Sequence, residues 1–387
     1  MIGYFDANAT TPLFPGVRAR YLEALDGSWQ NASSLYHAAG GVRRLLEEAR
    51  EELAETLGIE QPGRIVFLSG ATESANLVFR HMAAVSPVDA KIVRSPLEHP
   101  CVREAAELAF RGRVLEAPLD PAGTVDTVAT ANLLDRERPV LVSVMAANNE
   151  TGALQPWREL RAICAERGIP FHCDAAQWLG KMPADGLGEI DWLTGSAHKF
   201  GGPKGVGFLV VPDGTGQLQG ASVGGAQESG RRAGTENVPG ILAMVTALAE
   251  ASARLTTVDG LGRDEFEQRV MESIPGTRIV GGKAPRLWNT TMLVLPAFAN
   301  LSWLTRLSHL GFQVSTGSAC SAGRDNPSHV MEAMGLDSGE MGRVLRASAL
   351  WSTAREDWEE LAEAMERVWD DLQRPSGEAQ AKRRIRL

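Results

Sequence analysis

No stretch of the chain stays apolar for the roughly 18 residues that a membrane-crossing helix needs, so no membrane partner is expected. Positive charge is not in excess either. Lysine and arginine number 39 against 48 aspartates and glutamates, a net charge of −9, which argues against a general nucleic-acid surface. The one basic cluster, the terminal AKRRIRL, reads as a solvated or frayed tail ahead of a docking site. Cysteine is scarce. Cys101, Cys164, Cys173 and Cys320 are scattered with no C-x-x-C pair, and the N-terminal MIGYFDANATTP lacks the charged start and apolar core of an export signal. These absences predict reduced thiols and a cytoplasmic location. No internal repeat is present. The G-x-x-x-x-G-K-[ST] spacing of a nucleotide-binding loop is also missing, because the lysine of GGPKG is followed by another glycine. Lys204 is left as a turn residue.

What is present is an ordinary globular composition, 44% apolar and 22% charged over 387 residues, enough for two domains. From Ile65 to Val211, short β-branched runs alternate with amphipathic helical pieces. RIVFLSG precedes TESANLVFRHMAA, AKIVRSP precedes EHPCVREAAELAF, and PVLVSVMAANNE precedes QPWRELRAICAERG. IPFHCDAA, IDWLTGSAHK and GVGFLVV follow. This pattern predicts an α/β protein with a mixed, mostly parallel sheet covered on both faces. Gly214 to Gly234 reads as a long functional loop. From about Asp259 the pattern becomes helix, strand (NTTMLVLP), helix, strand (GFQVST), helices, strand (RVLRASAL) and a final helix. The expected division is a large domain over 16–258 and a smaller α+β domain built from 1–15 and 259–387.

Ligands of such sheets bind beyond the carboxyl ends of the strands, so those ends hold the candidate residues. In FLSGATESANL, Gly70 permits a tight turn and Thr72 is expected to cap the helix that follows. The free N–H groups and dipole of that helix end suit a phosphate, although ordinary caps without a ligand are common. In IPFHCDAAQ, Asp174 ends a buried strand, where a carboxylate needs a positive partner. A structural arginine, a protonated ring nitrogen and a His-x-Asp metal site with His172 are all open at this point. Cys173, on the other strand face, reads as a core thiol. Lys199 lies 25 positions after Asp174 in the next strand-and-turn unit, and a lysine in a partly dry cationic site becomes a nucleophilic amine. A phosphate cradle, a buried acid and an activated lysine together match pyridoxal phosphate. His99 follows another strand, where a ring can stack on a cofactor and exchange protons. Asn149 in ANNETG offers an amide, and Arg346 in VLRASA either clamps a carboxylate or forms an internal salt bridge. Cys320 sits in QVSTGSACSAGRDNPSH, a loop of small residues unlike the apolar surroundings of Cys164. That context marks a candidate nucleophile.

Taken together, YFDANATTP, NASSLYHAAG, SGATESANL, EHP, NNETGALQP, HCDAAQ, GSAHKFGGPKGVGFL, GRRAGTENVPG, STGSACSAG and LRASAL resemble the pyridoxal-phosphate-dependent cysteine desulfurases. These are class V aminotransferase-like enzymes within the aspartate aminotransferase fold, and the cysteine loop resembles their long-loop branch. The resemblance implies that Lys199 forms the Schiff base with pyridoxal 5′-phosphate, Asp174 pairs its ring nitrogen, Gln177 bonds its ring hydroxyl and His99 stacks on it. It assigns the phosphate to Ala71, Thr72, Ser196 and His198, with Thr235 reaching in from the partner of a homodimer. Asn149 and Arg346 would hold the carboxylate of L-cysteine. Cys320 would take the sulfur as a persulfide, leaving L-alanine, and pass it to an acceptor protein such as one serving iron–sulfur cluster assembly. Three departures stand out. NASS replaces the commoner Asn-Pro-Ser-Ser, Ser229 stands where an arginine is usual, and the tail does not resemble the scaffold-docking end of the housekeeping enzymes. A lyase or aminotransferase of the same fold, and a cofactor-free sulfur carrier, are the rival readings.

Overall fold

The computed structural model describes residues 3–317 and 328–374. Two helices, α1 (Pro15–Gly27) and α2 (His37–Leu57), precede a sheet built from β1 (Ile65–Leu68), β2 (Ile92–Arg94), β3 (Val114–Glu116), β4 (Val142–Ser143), β5 (Phe171–Asp174), β6 (Trp192–Ser196) and β7 (Gly207–Val210). Helices α3 (Ala71–Val85), α4 (Pro100–Ala109), α5 (Thr127–Glu137) and α6 (Trp157–Glu166) connect these strands, and α7 (Val238–Arg254) follows them. The strand order is β1-β7-β6-β5-β4-β2-β3. Only β7 runs against its neighbours, so the sheet is mixed and mostly parallel.

Apart from the part-exposed edge strand β3, the strands are short and buried along their whole length because both faces are covered. Alternate residues of β1 go to opposite layers. Ile65 and Phe67 pack with α2 and α7, whereas Val66 and Leu68 pack with Val78, Phe79 and Met82 of α3. Helix α7 is apolar nearly all round, with Ile241, Met244, Ala247, Leu248 and Ala251 buried, as expected for a helix wedged between the sheet and α1 and α2.

The rest of the chain forms α8 (Leu261–Ser273), β8 (Arg278–Ile279), β9 (Thr290–Val294), α9 (Asn300–His309), α10 (His329–Ala333), α11 (Ser338–Met341), β10 (Val344–Ser348) and α12 (Arg355–Gln373). Its antiparallel sheet, β10-β9-β8, buries Leu293, Leu345 and Ala347 against Phe5, Phe266, Trp303 and Trp358. The run GFQVST is not a strand as expected. Gln313 bridges Tyr4 and Ser315 bridges Arg346, so the segment divides single pairings between two neighbours. The N-terminal segment joins this layer: Phe5 N donates to Gln313 O (2.8 Å) and Ser348 N donates to Phe5 O (2.8 Å). The loop Gly214–Gly234 is irregular, with a short 3₁₀ turn at Gln227–Gly230. No helix among the described residues is long and apolar enough to cross a membrane.

Candidate active site

The carboxyl ends of β1, β5 and β6 open onto a cavity of about 460 Å³, a size typical of cofactor sites. Ala71, Thr72, His99, Asn149, Asp174 and Gln177 line it, and so do Ser196, His198, Lys199 and Arg346. Ten of the twelve predicted residues are therefore brought together. Thr235 is not. It lines a separate recess beside Arg232 and Glu236. Cys320 lies outside the described residues.

One end of the cavity is built for an anion. The cap of α3 is Gly70, not Thr72 as expected, and no side chain closes the helix end. The turn from β1 needs φ of +152° at position 70, which excludes residues with a Cβ. The helix therefore begins at once at Ala71, and Thr72 sits inside its first turn. The first amides of a 15-residue helix, with its dipole, are left pointing into the cavity. Backbones approach closely here: a Cβ on Gly207 would lie 2.5 Å from Gly195 O and 2.6 Å from Gly70 Cα. Ser196 closes β6 beside this end. His198 is held by Thr10, whose hydroxyl lies 3.2 Å from its Nδ1. Burial and the surrounding lysines push the His198 pKa down to about 4. Lys204, read as a plain turn residue, also faces the cavity.

Asp174 ends β5 and is buried, its Oδ1 accepting the Ala176 amide at 2.9 Å. Burial raises its pKa, opposed by that amide and by the charge of Lys199. A carboxylate so placed is stabilised by any further cation that enters. His172 takes no part in the cavity. It is fully buried in the sheet, between Ser143 Oγ (2.8 Å) and Thr194 Oγ1 (3.1 Å), and edge-on to Phe79. Among the described residues no group of three or more His, Cys, Asp or Glu is arranged to hold a metal.

The Lys199 amine is held by main-chain oxygens, donating to Asn8 O (2.6 Å) and Ala9 O (2.9 Å). Asn8 was not anticipated from the sequence, and it is a hub. Its carbonyl also accepts Gln177 Nε2 (2.9 Å) and its Oδ1 accepts Lys181 Nζ (2.9 Å). Its Nδ2 donates to Asn149 O (3.1 Å) and Thr290 Oγ1 (2.9 Å). Lys181, also missed, is buried and donates to Gln177 Oε1 as well. Burial, Lys199 and Arg346 hold its pKa well below that of an ordinary lysine. The Gln177 amide is thereby fixed with its oxygen turned to Lys181.

Arg346, on β10, is almost wholly buried. It donates to Asn149 O (2.8 Å) and Asp6 Oδ1 (2.7 Å), so the expected internal salt bridge and the cavity position coexist. Its Nε, and Oδ1 of Asn149, are buried with no hydrogen-bond partner among the described residues. His99 caps α4, its Nδ1 accepting the Cys101 amide at 3.2 Å. Burial, Lys199 and His329 push its pKa down to about 4. Cys101, read only as a reduced thiol, lines the cavity beside it. Beneath the cavity Glu98 accepts the Met145 amide (2.8 Å). Burial and the neighbouring Asp174 push its pKa up to about 8.

Such a cavity offers an anion cradle, a buried carboxylate for a cation, an amine for a carbonyl carbon and an arginine for a second carboxylate. That donor set fits a phosphorylated aromatic aldehyde with a basic ring nitrogen. Residues 3–361 match the sequence model of the family described as Aminotransferase class-V. A cysteine desulfurase of Klebsiella pneumoniae is 40% identical over 339 residues, covering 86% of this chain and 84% of that protein. Cysteine desulfurase IscS of Dictyoglomus turgidum is 36% identical over 380 residues, 95% of each. A solved structure named NifS-like protein superposes with a TM-score of 0.85 at 30% identity, over 96% of this chain and all of that one.

Proposed function

The chain belongs to the aminotransferase class-V family and is a cysteine desulfurase within it, and from that premise we propose how its own residues divide the conversion of L-cysteine to L-alanine. The cofactor assigned to the cavity is pyridoxal 5′-phosphate. It supplies an aldehyde carbon for amines and a cationic ring that accepts the electrons of a broken Cα–H bond. Its phosphate falls to the amides of Ala71 and Thr72, the Thr72 and Ser196 hydroxyls and His198, with Thr235 contributed by a second copy of the chain. Asp174 would pair the ring nitrogen and hold its proton. Gln177, turned by Lys181 and Asn8, donates its remaining amide hydrogen to the ring hydroxyl, and His99 covers the ring face.

Arg346 and Asn149 take the substrate carboxylate. Lys199 would hold the cofactor's aldehyde carbon when no substrate is bound, and its Nζ, once free, would take the Cα proton and later return a proton. Cys320 then attacks the substrate sulfur as a thiolate. An S–S bond would form as the C–S bond breaks, the electron pair left on Cβ would take a proton, and alanine would leave as the Lys199 amine takes back the aldehyde carbon. His99, neutral at physiological pH, manages the thiol proton.

The observation carrying this reading is that Lys199, Asp174 and the uncapped start of α3 surround one cavity. The purified protein is expected to show the visible absorbance of a pyridoxal Schiff base and to yield alanine and sulfide in equal amounts from L-cysteine under reducing conditions. Lys199→Ala abolishes both the bond and turnover. Cys320→Ala keeps the absorbance and loses the sulfide. Sulfide release that survives Cys320→Ala would point instead to a lyase, and a colourless wild type to a cofactor-free sulfur carrier.

The working form is assigned as a homodimer, supported by the exposed apolar side chains of Trp29, Leu35 and Tyr36 and by Thr235 lining a recess other than its own chain's cavity. The assignment extends to a reducing cytoplasm, to a sulfur-accepting protein partner, and to a large unit of 16–258 and a small one of 1–15 with 259–387.

A further inference from the structure

Cys101 has no part in the chemistry above, yet its sulfur lies 3.0 Å from His99 Nδ1 and faces the same cavity. The geometry settles which atom carries the proton. His99 is the N-cap of α4, and its Nδ1 accepts the Cys101 main-chain N–H. A proton on Nδ1 would point at that N–H, so Nδ1 is bare and Nε2 carries the ring hydrogen. A sulfur lone pair facing a bare nitrogen at this distance would be repelled, so the thiol must donate. A hydrogen is available, because burial together with Asp174 and Glu98 pushes the Cys101 pKa far up. The Thr72 side chain also hydrogen-bonds the sulfur.

We propose that Cys101 is a positioning residue: its S–H donates to His99 Nδ1, fixing the tautomer and plane of the imidazole, and links it to Thr72 at the start of α3. The role rests on the reading of His99 and Thr72 given above. A hydrogen bond to the bare nitrogen favours the neutral ring. Lys199, and His329 when protonated, also bear on His99 and work in the same direction, while Asp174 and Glu98 bear on the thiol itself. The thiol therefore acts through the ring rather than as a nucleophile, since a thiol with a raised pKa is a poor one.

The test uses the full-length protein labelled with ¹⁵N-histidine, the His99 resonances being assigned by their loss in His99→Gln. Wild type should show an unprotonated, hydrogen-bonded Nδ1 and a protonated Nε2. In Cys101→Ala the Nδ1 resonance should move toward that of an unbonded pyridine-type nitrogen. In the cofactor-loaded enzyme, the acid limb of kcat against pH should rise by about one unit. Cys101→Ser should restore both. An Nδ1 resonance unchanged by Cys101→Ala, a protonated Nδ1 in wild type, or no rescue by serine would overturn the proposal. Resonances recorded without cofactor judge Cys101 even if wild type releases no sulfide from L-cysteine, a result that would count against the desulfurase reading alone.

Discussion

Glu228→Ala probes how the glycine-rich segment is anchored to the site. Glu228 and Ser229 hold φ of 49° and 57°, a left-handed backbone that costs about 1–2 kcal/mol for each residue bearing a Cβ. The compensation is visible. The buried Glu228 carboxylate takes both arms of Arg50, at 2.9 and 3.0 Å. It also accepts the outward amide of Phe67 (2.8 Å) on β1, an edge strand of the large sheet. Arg50 in turn donates to Ile65 O (2.7 Å) and lies 4.6 Å over the Phe67 ring. Truncation leaves the buried guanidinium with only the exposed Glu47 (3.2 Å) as an ion-pair partner and a strand amide unpaired, and alanine relieves none of the backbone cost. Breaking a buried pair costs about 3–5 kcal/mol and an orphaned amide about 1–3 kcal/mol. The expected loss is at least about 4 kcal/mol in urea unfolding of the full chain, with faster hydrogen exchange at Phe67 and weaker cofactor retention. The double change Arg50→Met with Glu228→Met should cost less than the single one, because no charge is stranded. A loss under about 1 kcal/mol, the range of exposed pairs, with Phe67 still protected, would refute the reasoning.

Glu98→Gln should stabilise the cofactor-free protein at alkaline pH. Its carboxyl titrates near 8 in the fold against 4.5 for an ordinary glutamate, so wild type loses stability relative to the variant as pH rises from about 4.5 to 8, by a few kcal/mol in all, and the gap vanishes in acid; thermal melts across that range check it. Arg346→Lys should raise KM for L-cysteine about 10–100-fold, since an ammonium cannot replace two arms that already serve Asn149 and Asp6; steady-state kinetics decide. Gly207→Ala drives a methyl into Gly195 O and Gly70 Cα. It should lower the melting temperature and weaken pyridoxal phosphate binding at least about tenfold, read by spectroscopic titration.

In the large sheet β1, β2 and β4 were legible as short apolar runs each followed by an amphipathic helix, and β5, β6 and β7 as apolar runs, whereas the three-residue edge strand β3, only partly buried, was not anticipated. Lys199 and Asp174 were legible for the same reason: they stand where such strands end. The α3 cap was misread because Thr72 has the chemistry of a cap, whereas the turn angle at Gly70 decides where the helix begins. GFQVST carries strand residues, but Gln313 and Ser315 find different partners. Asn8 and Lys181 escaped notice because they meet across 173 positions, and local periodicity carries no trace of that. Cys101 was visible in EHPC, yet only the capping geometry of His99 turns its sulfur into the cavity.

The position of Asn8 makes the N-terminal segment a mechanical lever. Its side chain is fastened to Thr290 of the small sheet and its amide to Ser348, while its carbonyl grips the Lys199 amine. Tilting the small sheet, which bears Arg346, must drag that carbonyl with it. Under the roles proposed for them, substrate capture by Arg346 and release of the Lys199 amine from the Asn8 carbonyl are then strokes of one rocker arm, so fixing the N-terminal segment rigidly, for instance by a crosslink to β5, would stall both together.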